Sequence, residues 1–157
     1  MIKNTTNRQK LGWVLFILYL CLLSHLMFFS ESFGRTDTSR GYRYNLIPFN
    51  EITRYFRHSD VVGPLLFLIN IVGNVVAFVP FGFFLPIISR RSKKWYNTVM
   101  LGFGFSLTLE TLQLIFMVGS FDVDDMILNT LGAALGFVTY QAVQWGRGIL
   151  RQRRPGK

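Results

Sequence analysis

The stretch Val99–Val118, VMLGFGFSLTLETLQLIFMV, is twenty residues long and carries one acidic residue, Glu110, near its middle. A helix needs about 20 mostly apolar residues to cross the hydrocarbon core of a bilayer. A carboxylate at that depth costs about 3 kcal/mol on insertion scales, so such residues usually face a protein interior and mark function. The stretch therefore predicts a membrane span with a functional residue inside it.

Three further apolar blocks have comparable length, namely Leu11–Phe29, Leu65–Ile88 and about Met126–Trp145. Half of the 157 residues are hydrophobic and sixteen are Phe, and the blocks are too long for helices of a soluble protein. Pro80 and Pro86 interrupt the second span, but its apolar residues still carry it across. The sequence predicts an all-α, polytopic membrane bundle of four transmembrane helices.

Basic residues orient this bundle. Twelve of the 17 lysines and arginines lie in the two tails and the second loop, where there is no acidic residue, whereas the third loop carries three Asp. The positive-inside rule then places both termini in the cytoplasm. The domain prediction is a cytoplasmic tail at residues 1–10, a transmembrane domain at residues 11–145 and a basic cytoplasmic tail at residues 146–157.

The net charge of +9 follows from this topology, and tails this short cannot build a nucleic-acid-binding surface. We therefore expect membrane lipid as a partner and no nucleic acid. The first span exceeds the usual length of a signal-peptide core and no A-x-A site follows it, which favours a retained anchor over a cleaved signal. The sequence contains no zinc-ligand spacing and no nucleotide-binding motif, so neither a metal nor a cofactor is expected.

Polar residues of the last three spans lie at a common depth. At 1.5 Å per residue all of them fall in the outer half of the bilayer. They are Asn70 and Asn74 in the second span, Glu110 and Gln113 in the third, and Asn129 in the fourth, which Asp125 precedes at the water boundary.

Each of these polar residues belongs to a helical face. Asp125 and Asn129 continue into Gly132 and Gly136, and small residues let helices approach closely in a membrane. We expect the last three helices to converge near the cytoplasmic side and to enclose a polar, outward-facing cleft. The predicted ligand-binding residues are Asn70, Asn74, Glu110, Gln113, Asp125 and Asn129.

A purely structural interpretation stays open for part of this set. Amide side chains often serve as interhelical glue, and the Gly132-x-x-x-Gly136 pair can pack within one chain or between two. Asp122 or Asp124 suits a solvated loop charge or an N-cap of the fourth helix. Glu110 is less easily explained by packing alone.

The first loop, Ser30–Pro64, is too long for a bare connector in so small a protein. Its apolar and aromatic segment Tyr44–Ile52 is too short to span the bilayer, and arginines flank it. Two interpretations follow: a lid over an anionic headgroup, or an anchor in the membrane interface.

Four blocks, Asn45–Phe49, Asn70–Gly82, Ser106–Gln113 and Asp122–Gly132, resemble in order and spacing the blocks of the VanZ-like family. The resemblance runs from about residue 45 to 140. The family's recurrent polar and proline positions correspond here to Asn74, Pro80, Glu110, Gln113, Asp125 and Asn129. Many relatives carry an Arg shortly before the Asp block, where this chain has Gly119-Ser120, so a pairing of such an Arg with Asp122 or Asp125 is not expected here.

The resemblance implies a small, multi-pass protein of the bacterial cytoplasmic membrane, in a family whose name-giving member is associated with low-level teicoplanin resistance. The favoured function is glycopeptide resistance through binding or altering an envelope component, such as a lipid-linked cell-wall precursor or a glycolipid. The alternative is an intramembrane enzyme on such a substrate, with Glu110 as the general acid or base and Asp125 as the orienting group. No nucleophile with an adjacent base is visible, which disfavours acyl-enzyme chemistry.

Overall fold

The computed structural model describes residues 7–30, 42–57 and 64–152. Its helices are α1 Asn7–Ser30, α2 Asn50–Arg57, α3 Pro64–Ile88, α4 Trp95–Phe116 and α5 Val123–Gln152. A 3₁₀ turn at Arg91–Lys93 joins α3 to α4. Two short strands, β1 Tyr44–Asn45 and β2 Phe121–Asp122, pair in parallel.

Four of these helices, α1, α3, α4 and α5, are long and apolar enough to cross a membrane, which confirms the predicted all-α bundle. Each of the four extends beyond its predicted span in at least one direction. Helix α4 begins at Trp95 and α5 continues to Gln152, because backbone hydrogen bonding continues into polar flanks that a hydropathy boundary excludes. Helix α4 ends two residues before the predicted boundary, since Met117 adopts a left-handed conformation with φ 54° and its N–H bonds to the last-turn carbonyls.

Neighbouring helices in the chain run antiparallel. The start of α1 lies beside the end of α3, where a Cβ at Gly12 would be 3.1 Å from Ile88, and the end of α1 lies beside the end of α4, where the Phe28 and Phe116 rings are 6.5 Å apart. The start of α1, the 3₁₀ turn and the end of α5 therefore share one end of the bundle. We call this the basic end, and the opposite end, which holds the start of α5, the acidic end.

Helices α3 and α5 run parallel and touch through their backbones. A Cβ at Gly132 would lie 2.2 Å from the carbonyl oxygen of Val75, and one at Gly136 would lie 2.0 Å from that of Val79. Gly82 of α3 makes the reciprocal contact, because a Cβ there would lie 1.9 Å from a carbonyl oxygen of α5. The predicted small-residue stripe therefore packs within one chain, and only glycine fits at these positions.

Aromatic side chains fill the core between α1, α3 and α4. The rings of Phe81 and Phe105 stack at 5.4 Å, and Phe16 packs against Phe81 at 5.6 Å. Pro80 lies inside α3 and contributes no N–H to the helix. Next to it, the Tyr19 hydroxyl donates a hydrogen bond of 2.6 Å to the Ala77 carbonyl, which ties α1 to the proline turn.

Candidate functional site

Glu110 lies on the inner face of α4 and is only 2% exposed. Its Oε2 accepts a hydrogen bond of 2.9 Å from the backbone N–H of Asp122, the residue that precedes α5. A buried carboxylate needs hydrogen-bond donors, and here the backbone supplies one. Glu110 therefore joins α4 to the start of α5 at the acidic end of the bundle.

Asp122 is the N-cap of α5. Its Oδ1 accepts the N–H of Asp124 at 2.8 Å and the side-chain amide of Asn45 at 3.1 Å. The first contact satisfies one of the N–H groups that a helix start leaves unpaired. The predicted N-cap role of Asp122 is confirmed, and the same carboxylate also fastens the first loop to the bundle through Asn45.

Asp124 has a different role from its neighbour. It is 1% exposed, and its two oxygens accept the backbone N–H groups of Phe49, Glu51 and Ile52 at the start of α2, the latter two at 2.8 and 3.1 Å. Interpreting Asp124 as a solvated loop charge is wrong, because α2 covers it. A carboxylate at a helix N-terminus pairs with unsatisfied donors and with the positive end of the helix dipole.

Three of the amide side chains predicted for the site each hold two helices together. Asn74 donates to Asp125 Oδ1 at 2.6 Å, Asn129 donates to Ser106 Oγ at 2.9 Å, and Gln113 donates to the Met27 carbonyl at 3.0 Å. The structure thus brings five of the six predicted residues to the acidic end. The side chain of the sixth, Asn70, lies outside the described residues.

Two buried acceptors in this group have no donor. Within the part of the chain that the structure describes, Gln113 Oε1 and Asn129 Oδ1 are buried and make no hydrogen bond. Leaving a buried acceptor unsatisfied costs about 1–3 kcal/mol. We call the whole set the polar cluster: Asn74, Ser106, Glu110, Gln113, Asp122, Asp124, Asp125 and Asn129.

The described part of the first loop lies over Asp122 and Asp124 of the polar cluster. Strand β1 pairs with β2, the Phe121 N–H bonds to the Arg43 carbonyl, and α2 sits on Asp124. Among the described residues, six of the eight cluster side chains are buried and Asn74 and Asp125 are partly exposed, so the open, outward-facing cleft of the sequence prediction is not seen there. The cover segment, Tyr42–Arg57, turns Tyr44, Ile47 and Phe49 outward, each more than half exposed.

Sequence reasoning missed the contacts of Ser106, Asp124 and Tyr19. Ser106 gave no signal beyond its place in the block Ser106–Gln113, yet it is fully buried as the acceptor for Asn129. Asp124 bonds to residues more than 70 positions earlier in the chain. The only signal was that Asp124 and the cover segment both belong to recognisable blocks, which does not say that they touch.

The side chains of the polar cluster mainly accept hydrogen bonds. The Ser106 hydroxyl is held by the Asn129 amide rather than by a histidine or a carboxylate. Among residues 7–30, 42–57 and 64–152, no group of three His, Cys, Asp or Glu side chains is placed to hold a metal ion.

Comparison with known proteins identifies the family of this chain. The profile of the VanZ/LLP1 family matches residues 16–144, which include every residue of the polar cluster, all of α3 and α4, and most of α1 and α5. The chain belongs to the VanZ/LLP1 family. The chain is also similar to Protein VanZ of Enterococcus faecium, with 35% identity over 74 residues, or 45% of this chain.

That alignment spans 44% of the length of the Enterococcus relative. No solved structure matches the chain significantly. The family match and the four apolar helices together make this chain a multi-pass membrane protein, and they extend the VanZ/LLP1 similarity into α1, where the sequence blocks gave none.

Proposed function

We propose that this protein lies in the bacterial cytoplasmic membrane and lowers susceptibility to teicoplanin-type glycopeptides by binding an envelope component in the polar cluster. Membership of the VanZ/LLP1 family and the similarity to Protein VanZ support the link to resistance. The observation that carries the proposal is Glu110, a buried carboxylate at the acidic end, with the two unpaired acceptors Gln113 Oε1 and Asn129 Oδ1 on the same and the neighbouring helix.

The ligand that fits this chemistry is rich in hydrogen-bond donors. Carboxylate and amide oxygens accept hydrogen bonds from hydroxyl and amide N–H groups, which sugars and short peptides provide. A lipid-linked cell-wall precursor or a glycolipid carries such a headgroup. The positive-inside orientation puts the acidic end at the outer headgroup level, where that headgroup lies, and the polar cluster just below it in the outer half of the bilayer.

The cover segment acts as a lid in this proposal. The hydrogen bonds described above join it to strand β2 and to the carboxylates of Asp122 and Asp124, all within four residues, so we infer that it can detach there without disturbing the transmembrane helices. Its outward aromatic residues would sit in the membrane interface. The lid and anchor interpretations of the first loop are therefore compatible with each other.

Binding is favoured over catalysis by the surroundings of the polar side chains. The backbone N–H of Asp122 occupies one oxygen of Glu110, and Asp125 is engaged with Asn74. An enzyme would need a nucleophile or an activated water beside a base, and Ser106 is not paired with one.

A resistance assay with matched variants tests the proposal. Glu110→Gln keeps an acceptor for the Asp122 N–H but removes the charge, whereas Thr108→Ala alters an exposed hydroxyl of the same helix that bonds only to Gly104. In a deletion strain, the Glu110→Gln protein should accumulate normally yet leave teicoplanin susceptibility at the level of the deletion, while Thr108→Ala restores resistance. Full resistance with accumulated Glu110→Gln protein would remove the polar cluster from the mechanism.

Mass spectrometry of the envelope lipids then separates binding from catalysis. Unchanged lipid species with altered drug binding in the deletion strain support a binder. A species that accumulates or disappears, and that Glu110→Gln fails to restore, supports the enzyme with Glu110 and Asp125 instead. The orientation has its own test, since an alkaline phosphatase fused to the C-terminus should be inactive, and strong activity would reverse the membrane sides.

A further inference from the structure

A groove lies at the basic end, remote from the polar cluster. It has a volume of about 250 Å³ and runs between the end of α3, the 3₁₀ turn and the second half of α5. Its walls combine an apolar part, formed by Phe83, Ile87 and Val143, with two cations, Lys93 and Arg147. A site with this combination fits an amphipathic anion.

The two cations are not engaged elsewhere. Within the described part of the chain, neither Lys93 nor Arg147 has an ion-pair partner, and both are exposed. Tyr140 also lines the groove, and within the same residues its hydroxyl makes no hydrogen bond. A phosphate oxygen accepts hydrogen bonds from guanidinium, ammonium and phenol groups.

The position along the helices matches the boundary of a bilayer. Trp145 on α5 and Trp95 at the start of α4 are both strongly exposed, and exposed tryptophans mark the headgroup level. Arg147 lies two residues beyond Trp145, so the cations sit at headgroup depth. Tyr140 lies about 10 Å below Arg147 at 1.5 Å per residue, which puts the apolar wall at the depth of acyl chains.

We propose that this groove is a binding site for one anionic phospholipid, with its phosphate between Lys93 and Arg147 and an acyl chain along Phe83, Ile87 and Val143. Charge complementarity selects this occupant over a neutral lipid, and the apolar wall selects it over a free anion. The site is independent of the resistance function, because it shares no residue with the polar cluster.

Lipid binding to the full chain in detergent tests the site. Native mass spectrometry would follow a titration with phosphatidylglycerol, and with phosphatidylcholine of the same acyl chains as a neutral control. In detergent there is no charged bilayer surface, so basic residues outside the groove contribute little. Phosphatidylglycerol should bind the wild-type chain more tightly than phosphatidylcholine.

Two pairs of substitutions distinguish lipid binding in the groove from nonspecific attraction to basic residues. Lys93→Ala with Arg147→Ala should weaken phosphatidylglycerol binding about 100-fold or more, since each hydrogen bond to the charged phosphate is worth about tenfold. Arg90→Ala with Arg91→Ala removes the same charge from exposed positions that do not line the groove, and should leave binding nearly unchanged. Equal losses in the two pairs would overturn the site.

A third variant leaves the charge intact. Val143→Trp fills the apolar part from a partly exposed position, so it should abolish the preference for phosphatidylglycerol while the melting temperature is retained. Unchanged phosphatidylglycerol binding in this variant would overturn the proposal. So would displacement of the lipid by inorganic phosphate at equal concentration, because the site would then recognise a free anion.

Discussion

Asp124→Ala is expected to release the cover segment without unfolding the bundle. The substitution removes the three hydrogen bonds that Asp124 accepts from Phe49, Glu51 and Ile52. We take about 1 kcal/mol for each bond, which is less than is typical for a charged acceptor, because water can satisfy the released N–H groups. The three bonds together then contribute about 3 kcal/mol. That free energy corresponds to about a 100-fold rise in the opening equilibrium of α2.

Hydrogen–deuterium exchange measures this opening directly. In wild-type protein the Thr53 N–H is bonded to the Phe49 carbonyl at 2.9 Å within the first turn of α2, so its exchange reports whether that turn persists. Peptides from Phe49–Arg57 should exchange about 100-fold faster in Asp124→Ala, whereas peptides from α3 and α4 should keep their rates. Asp125→Asn is the matched control, because its carboxylate lies in the same helical turn but bonds to Asn74 of α3.

The reasoning fails if the Phe49–Arg57 peptides exchange equally fast in wild type and Asp124→Ala, since Asp124 would then hold nothing. It also fails if Asp125→Asn accelerates them as much, because the effect would then come from lost charge rather than from the bonds to α2. If the lid is needed for ligand retention, Asp124→Ala should lower teicoplanin resistance as well.

Three further substitutions test the packing of the bundle in detergent. Gly136→Ala should lower stability by about 1–3 kcal/mol and reduce the melting temperature, because its methyl group meets a backbone carbonyl, whereas Gly146→Ala, where a Cβ meets nothing within 4 Å, should not. Tyr19→Phe should lower stability by about 1 kcal/mol in denaturant unfolding, through loss of the bond to α3. Ser106→Ala should cost about 1–3 kcal/mol in the same measurement, since the buried Asn129 amide loses its acceptor, and an unchanged midpoint would show that the amide finds another.

The helices and their approximate bounds follow from the sequence because the bilayer sets a length and a polarity that each span must meet on its own. Glu110, Gln113, Asn129 and Asp125 were identified by the same local rule, since polar groups in a span need partners. Gly132 and Gly136 followed from their spacing. These predictions required no knowledge of which helices touch.

Predicting the hydrogen-bond partners of those residues would have required knowing which helices touch. Asp122 and Asp124 are identical in type and two positions apart, yet one caps its own helix and the other caps α2, which the chain brings back from the first loop. The same docking covers Asp124, at an end of the bundle that the helical faces alone suggested would be open. Tyr19 gave no signal, because its role depends on lying beside the Ala77 carbonyl of α3. The role of Asn70 stays a prediction.

The parallel contact of α3 and α5 also constrains how the protein is made. Helices α1 and α3 can associate as an antiparallel pair as soon as the ribosome has delivered them, but Gly132 and Gly136 reach the bilayer only after α4 has crossed in the opposite direction. Until then the Val75 and Val79 carbonyls and the bare backbone at Gly82 face lipid or the insertion machinery. The last span therefore completes the fold during synthesis, and a chain arrested before residue 132 lacks the helix against which Val75, Val79 and Gly82 of α3 pack.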